Sequence, residues 1–97
     1  MVNATSKITL SSNVRPSSNA LIQHMGSEAI VLDTAGERYF GLNEVGARLW
    51  TLLGTNPSLA EAHHKLLKEY DVAPADLERD LIAIVAQLAD AGLVSVA

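Results

Sequence analysis

Two adjacent histidines, His63 and His64, come nearest in this chain to a metal-binding pattern, with Glu61 two positions before them. The apolar spacing around them predicts a helix, and adjacent residues on a helix do not face each other. The two imidazoles therefore do not easily share one ion, and a solvated helix surface is the interpretation that the pattern favours. The chain has no cysteine, which excludes thiolate ligands, thiol catalysis and disulfides. We predict no metal site and no cofactor.

The residue pattern of an enzyme active site is also missing from the sequence. There is no G-x-S-x-G, no phosphate-binding P-loop and no dinucleotide-binding glycine set. Gly36, Gly41 and Gly46 are evenly spaced, but they fall on a predicted hairpin, a strand and a helix, and so do not form one loop around a phosphate. Catalysis needs a nucleophile, a base and a stabilising group in one place. We therefore predict no catalytic residues and no enzymatic activity.

The charge balance argues against nucleic acid as a partner. The formal net charge is −4, and the seven Lys and Arg residues are scattered along the chain. The last predicted helix is the candidate for DNA recognition, but residues 76–90 carry four acidic residues against Arg79 alone. Such a helix meets phosphates badly. A winged-helix DNA-binding regulator is therefore the alternative hypothesis and not the leading one.

Membrane insertion and secretion find no support either. Hydrophobic residues make up 48% of the chain, which is enough for the core of one small domain. No apolar run approaches the ~20 residues of a membrane span, and residues 1–12 lack the apolar segment of a secretory signal. Together with the absence of cysteine, these features predict a cytoplasmic protein with no membrane partner.

Three strands are predicted in the first half of the chain, at Ala20 to Met25, Glu28 to Asp33 and Arg38 to Leu42. Gly26 marks the first turn, and residues 34–37 form a short hairpin loop that contains a glycine. The simplest arrangement is an antiparallel meander with the third strand at an edge. The apolar run in the second strand indicates either burial on both faces or a central position in the sheet.

Residues 1–19 precede these strands and are polar, rich in Ser, Asn and Thr. Ile8 and Leu10 alternate with polar residues, so a short strand and a flexible tail fit the segment equally well. Residues 15–19 indicate a linker or turn, and we place the domain itself at residues 20–97.

Three helices follow the strands. Asn43 is a strong N-cap for the first, and Gly54 is its predicted end. Ser58 and Glu61 form a capping box at the start of the second. The order of three strands and then three helices predicts a small α+β domain with segregated elements.

The third helix starts at Pro74 and ends at Gly92, with Leu93 packing back in a Schellman ending. An apolar seam is predicted along it at Leu77, Leu81, Ile84 and Leu88. Apolar residues form one shoulder of this seam: Ile82, Val85 and Ala89. Asp76, Asp80 and Gln87 make the other shoulder polar.

The third strand is the candidate functional element. An exposed strand edge is a template with which another chain can pair, and an added strand gains affinity from main-chain hydrogen bonds. Gly41 leaves a gap in the side-chain cover that permits close approach of a second backbone. Packing of Tyr39 and Phe40 within the core, or across the strands, explains the same residues equally well.

The string IVLDTAGERYFGLNEVGARLWTLL, followed by a helix and then by DLERDLIAIVAQLADAGLV, resembles the PqqD-like family over residues 20–96. Order and spacing carry the resemblance, not one diagnostic motif. It implies a small winged-helix-like domain that serves as a recognition element for ribosomally synthesised and post-translationally modified peptides. Such a module binds the leader segment of a precursor peptide without catalysis. It then delivers the leader to a processing enzyme, such as a radical S-adenosylmethionine protein or a leader peptidase.

The resemblance also implies where the leader binds, namely as an extra antiparallel strand between the third strand and the third helix. On the strand, it assigns peptide binding to Arg38, Tyr39, Phe40, Gly41 and Leu42. On the helix, we expect Leu81, Ile82 and Val85 to wall the groove, and Leu77 and Ile84 to belong to the core. The polar shoulder with Asp76 and Asp80 is the alternative wall, which would favour Lys or Arg in the leader. We expect a monomer or a weak homodimer, and self-pairing of strand edges is a third hypothesis for the function of the free edge.

Overall fold

The computed structural model describes residues 8–34 and 38–97, and these residues form five strands and three helices. In chain order, the elements are β1 (Val14–Pro16), β2 (Ala20–Met25), β3 (Glu28–Asp33), β4 (Tyr39–Leu42), α1 (Glu44–Thr55), α2 (Leu59–Glu69), α3 (Pro74–Asp90) and β5 (Val94–Val96). The α+β class and the three predicted helices are confirmed. The predicted hairpin loop at residues 34–37 falls largely outside the described residues.

Strands β2, β3 and β4 form an antiparallel sheet in that order, which confirms the predicted meander and the edge position of its third strand. Side chains alternate between the two faces of the sheet, and Ala29, Val31 and Leu42 face the helices and are buried. The opposite face is open. A cross-strand row of apolar side chains lies on it, with Leu21 57%, Leu32 37% and Tyr39 73% exposed. Of the two interpretations of the apolar run in β3, the central position is therefore observed.

A second, two-stranded sheet joins the N-terminal segment to the end of the chain. Strand β1 pairs antiparallel with β5, so that Val14 lies opposite Val96. The prediction of a linker or turn over residues 15–19 is wrong at Arg15 and Pro16, because β5 offers backbone groups with which these residues pair, whereas residues 18 and 19 form a turn. Ile8 and Leu10 do not form a strand; the segment turns there, with the amide of Ser12 donating to the carbonyl of Thr9 at 2.9 Å. Val14 is completely buried, so this segment shares the core of the domain.

The cap of α1 is as predicted, but its end is not. The Asn43 side chain accepts a hydrogen bond from the Gly46 amide at 2.9 Å, which satisfies one of the unpaired donors of the first turn. Gly54 does not stop the helix. It lies inside α1, which continues to Thr55 and ends at Asn56. Gly54 has no positive φ, so it lacks the left-handed conformation with which a glycine terminates a helix.

Half of the capping box predicted for α2 is present. The Ser58 hydroxyl accepts from the Glu61 amide at 3.2 Å. The amide of Ser58, which Glu61 was expected to satisfy, donates instead to the Asn56 side chain at 3.0 Å. Asn56, two residues before the cap, therefore takes the place of the glutamate.

Helix α3 begins with Pro74 and ends in the predicted Schellman motif. Gly92 has a φ of 75°, and the amide of Leu93 donates to the carbonyl of Leu88 at 2.9 Å. This reversal sends the chain back along the domain as β5. Three helices and two sheets enclose an aliphatic core, which contains among its fully buried side chains Leu49, Leu59, Leu66, Leu77, Leu81, Leu88 and Leu93. In the part of the chain that the structure describes, no helix is both long and apolar enough to cross a membrane.

Candidate functional site

The outer edge of β4 is unpaired among the described residues. Strand β4 ends the order β2-β3-β4, and the N-terminal segment pairs with β5 instead. On its inner side, β4 bonds to β3, and the amide of Asp33 donates to the carbonyl of Arg38 at 2.8 Å. Hydrogen-bonded and non-bonded pairs alternate along an antiparallel ladder. The backbone groups of Arg38, Phe40 and Leu42 therefore point towards β3. Those of Tyr39 and Gly41 point outwards, where a further strand would pair.

Helix α3 lies beside this edge and runs antiparallel to β4. At one end, the Arg38 guanidinium donates to the carbonyl of Asp90 at 3.5 Å. At the other end, Asn43 and Asp80 line the same pocket. Residue numbers therefore rise along α3 as they fall along β4, and the two elements form the walls of one open cleft.

Two pockets make up this cleft, which we call the β4–α3 groove. The first has a volume of about 220 Å³ and is lined by Phe40, Gly41, Leu42, Asn43, Ile84 and Gln87. The second has a volume of about 310 Å³ and is lined by Asn43, Val45, Asp80, Ala83 and Ile84. Asn43 and Ile84 belong to both, so the pockets lie side by side.

The wall contributed by α3 is not the expected apolar shoulder, but lies on the side of the polar shoulder, the alternative wall, with Asp80 and Gln87. Leu81 and Val85 are both 0% exposed in the core, so neither can line an open groove. Ile82 faces another shallow pocket, with Ala75, Glu78 and Arg79. The groove is instead lined by one helical face, at spacings i, i+3, i+4 and i+7: Asp80, Ala83, Ile84 and Gln87.

Ile84, expected in the core, is half-buried and central to the groove. The seam that enters the core is Leu77, Leu81, Val85 and Leu88. After Leu81, both a step of three residues to Ile84 and a step of four to Val85 keep a helical stripe apolar. The sequence alone does not choose between them. The signal that sequence reasoning passed over is an isoleucine on the border between the seam and the polar shoulder.

The groove has a simple electrostatic pattern. Of the described residues that line its two pockets, Asp80 is the one with a charged side chain. It is exposed and makes no hydrogen bond or ion pair with any described residue. Asp76, one turn earlier, lines neither pocket and pairs with Arg79. A negative charge therefore lies near the Asn43 end of the groove, while the cationic Arg38 marks the opposite end.

Two nearby glycines have opposite roles. A Cβ added to Gly41 meets no atom within 4 Å, so nothing in this chain's own packing requires a glycine there. A Cβ added to Gly46 lies 3.1 Å from Cδ2 of Leu42 and 3.3 Å from Oδ1 of Asn43. Gly46 thus lets the first turn of α1 pack closely against the end of β4. Sequence reasoning did not assign it this role.

Polar contacts hold α1, and with it Asn43, in place. The Arg48 guanidinium donates two 2.8 Å hydrogen bonds to the Glu69 carboxylate, which lowers the pKa of that carboxyl. The Tyr70 hydroxyl donates to the Glu44 carboxylate at 3.0 Å. Burial raises the pKa of the Tyr70 phenol, and this hydrogen bond raises it further.

The two histidines do not converge. The imidazole Nε2 of His63 lies 2.9 Å from the carbonyl of Pro74, which links α2 to the start of α3, and His64 is exposed on the helix surface. Among the described residues, no group of three His, Asp or Glu side chains is placed to hold a metal ion.

The fold and the site together define a class of protein: a small α+β domain whose sheet ends at an unpaired strand edge, with a helix facing that edge across a mainly uncharged groove. Comparison with protein families gives the particular one. Residues 28–94 match the model of the family described as coenzyme PQQ synthesis protein D (PqqD), and the chain belongs to this family. The predicted resemblance is therefore confirmed.

Two solved structures are similar to this chain. One is TbiB1 in complex with the TbiA(beta) leader peptide, with a TM-score of 0.77 and 31% identity over 84% of this chain and 94% of that one. The other is a lasso peptide synthetase B1 complexed with the leader peptide, with a TM-score of 0.75 and 26% identity over 86% of this chain and 98% of that one. No curated protein matches the sequence.

Proposed function

We propose that this protein is a non-catalytic module that binds the leader segment of a ribosomally synthesised precursor peptide and presents it to a processing enzyme. The observation that carries the proposal is the unpaired edge of β4, which faces α3 across an open groove. The two similar structures support it, because both were solved with a leader peptide bound.

In the proposed complex, the leader lies antiparallel to β4 as a fourth strand. Its backbone pairs with the outward N–H and C=O groups of Tyr39 and Gly41, and alternate side chains enter the groove. Each such hydrogen bond contributes a net ~1 kcal/mol, and fixing the backbone of a flexible leader costs ~1–2 kcal/mol per residue. Pairing with a strand as short as β4 therefore does not suffice, and contacts in the groove must provide the remaining affinity.

The proposed binding residues are those predicted on the strand, Arg38 to Leu42, together with Asp80. Ala83, Ile84 and Gln87 replace Leu81, Ile82 and Val85 as the wall on α3, for the reasons of burial given above. A radical S-adenosylmethionine protein and a leader peptidase are the proposed kinds of processing enzyme, in the cytoplasm. No observation favours the DNA-binding alternative, because α3 carries four acidic side chains and one basic one.

The test is a titration of isotope-labelled protein with the leader peptide encoded beside its gene, followed by NMR. We expect a dissociation constant in the micromolar range or tighter, which corresponds to about −8 kcal/mol. Amide shifts should concentrate on residues 38–42 and on the groove face of α3, with a scrambled leader as control. Unmoved amides at Tyr39 and Gly41 would contradict the proposal. Light scattering with and without the leader separates one-to-one binding from dimerisation through the strand edge.

A further inference from the structure

The β4–α3 groove has a direction, and its two ends differ chemically. A leader antiparallel to β4 enters at the Asn43 end and leaves at the Arg38 end. Because α3 is itself antiparallel to β4, such a leader runs parallel to α3 and meets Asp80 first and Ile84 next. The order in which these two side chains are met fixes the order of leader residues that suit them.

Spacing fixes their separation. Asp80 and Ile84 are one helical turn apart, about 6 Å at 1.5 Å per residue. An extended peptide covers about 6.6 Å in two residues, and residues two apart point to the same side of a strand. One leader side chain can therefore face Asp80 while the side chain two residues later faces Ile84.

The surroundings of each position define its chemistry. The Asp80 carboxylate has no partner among the described residues, in contrast to the Asp76 carboxylate, which Arg79 neutralises. The Ile84 position is bordered by three apolar side chains, Phe40, Leu42 and Val45, with Asn43 and Gln87 at its margins. A cation suits the first position and an apolar side chain suits the second.

From this geometry we infer that the protein selects leaders that carry Lys or Arg followed two residues later by a bulky apolar residue, read from N- to C-terminus. Asp80 is the specificity-determining residue for the cation. The inference rests on the proposed function, since it takes the ligand to be an antiparallel leader strand.

A substituted leader panel tests the inference directly. Each position of the leader is replaced in turn by Lys, Glu, Leu and Ser, and binding is measured by calorimetry at low and high salt. We expect one position at which Lys binds more tightly than Glu, and a preference for Leu over Ser two residues towards the C-terminus. Asp80→Asn should remove the first preference and weaken binding of the Lys peptide about two- to fivefold at low salt. Asp80→Lys should reverse the preference, and high salt should reduce all these differences.

Asp76→Asn is the matched control. It makes the same change of charge one turn away on the same helix, outside the groove, and should leave the leader preferences unchanged. Equal effects of Asp76→Asn and Asp80→Asn would overturn the inference, as would preferences in the opposite order or at another spacing. If either outcome is found but the leader still binds and shifts the amide signals of β4, the proposed function stands. If no leader binds the unmodified protein, both fall together.

The direction in which the leader lies along β4 can be measured separately, with spin labels. A spin label at the C-terminal end of the bound leader segment should broaden amides near Arg38 and Asp90, while a label at the N-terminal end should broaden those near Asn43 and Asp80. The reverse pattern would show a leader parallel to β4 and would overturn the inferred order. The proposal that the leader pairs with the edge of β4 would still stand.

Discussion

Ile84 and Val85 are neighbours on α3 with the same kind of side chain, but one lies in the groove and the other in the core. Truncating each to alanine therefore separates the effect of the groove on leader binding from the effect of the core on stability. Val85 is fully buried, whereas Ile84 is half-buried and lines both pockets of the groove. Both residues are β-branched, so the gain in helix propensity on mutation to alanine is nearly the same and cancels in the comparison.

The magnitudes follow from burial. Val85→Ala removes two fully buried methyl groups at ~0.8 kcal/mol each and leaves a cavity, so it should lower the free energy of unfolding by about 2–3 kcal/mol. Ile84→Ala removes three carbons that are about half-buried, which lowers it by about 1 kcal/mol. The half of Ile84 that a leader would cover contributes about 1 kcal/mol more to binding, or roughly a fivefold change in affinity.

Urea unfolding and calorimetric titration with the leader provide the two readouts. Val85→Ala should show the larger fall in unfolding midpoint with an unchanged slope, and near-normal affinity at a temperature where it is folded. Ile84→Ala should show the larger loss of affinity. If Val85→Ala weakened binding more than Ile84→Ala in fully folded protein, the assignment of the groove wall would be wrong.

The remaining predictions concern the edge, the core and a surface ion pair. Gly41→Val should weaken leader binding and leave the melting temperature nearly unchanged, because a Cβ at this position meets no atom within 4 Å in the free protein. Equal losses of binding and stability in Gly41→Val would make Gly41 structural. Gly46→Val should instead lower the melting temperature, because its Cβ would lie 3.1 Å from Cδ2 of Leu42. Leu81→Asp should destabilise by several kcal/mol, since an unpaired charge would enter the core, and an unchanged melting temperature would contradict its burial. The ion pair of Glu69 with Arg48 should add under ~1 kcal/mol, because both side chains are partly exposed. Its contribution is present above the ordinary glutamate pKa and is lost as the pH falls through the lowered pKa. Glu69→Gln should remove this part of the pH dependence in urea unfolding, with no change in its slope.

Local signals predicted the elements of this fold well, because their causes lie within a few residues. The cap at Asn43, the proline start of α3 and the Schellman ending at Gly92 each depend on hydrogen bonds within one turn. Strand β1 escaped prediction because its partner, β5, lies some eighty residues away and only tertiary contact reveals the pairing.

The candidate site shows the same division. The strand side of the groove followed from the order of elements, since the last strand of a meander lies at the edge of its sheet when no other segment pairs with it. The helix side depends on the orientation of α3 about its own axis. If the helix were turned by one residue position, Val85 would face the groove in place of Ile84. Packing of the whole core decides that rotation, so it cannot be obtained from the spacing of apolar residues along α3 alone.

The same packing explains why an unpaired edge is tolerable in this domain. Exposed strand edges promote self-association, and proteins limit the risk by keeping such strands short or by covering them. Strand β4 is four residues long, and α3 stands along its open side. A second copy of the domain that paired through β4 would bring its own α3 and its own Asp80 into the contact, so bulk and like charge would oppose the pairing. A single extended peptide carries neither, so the features that oppose self-pairing do not oppose the binding of a leader.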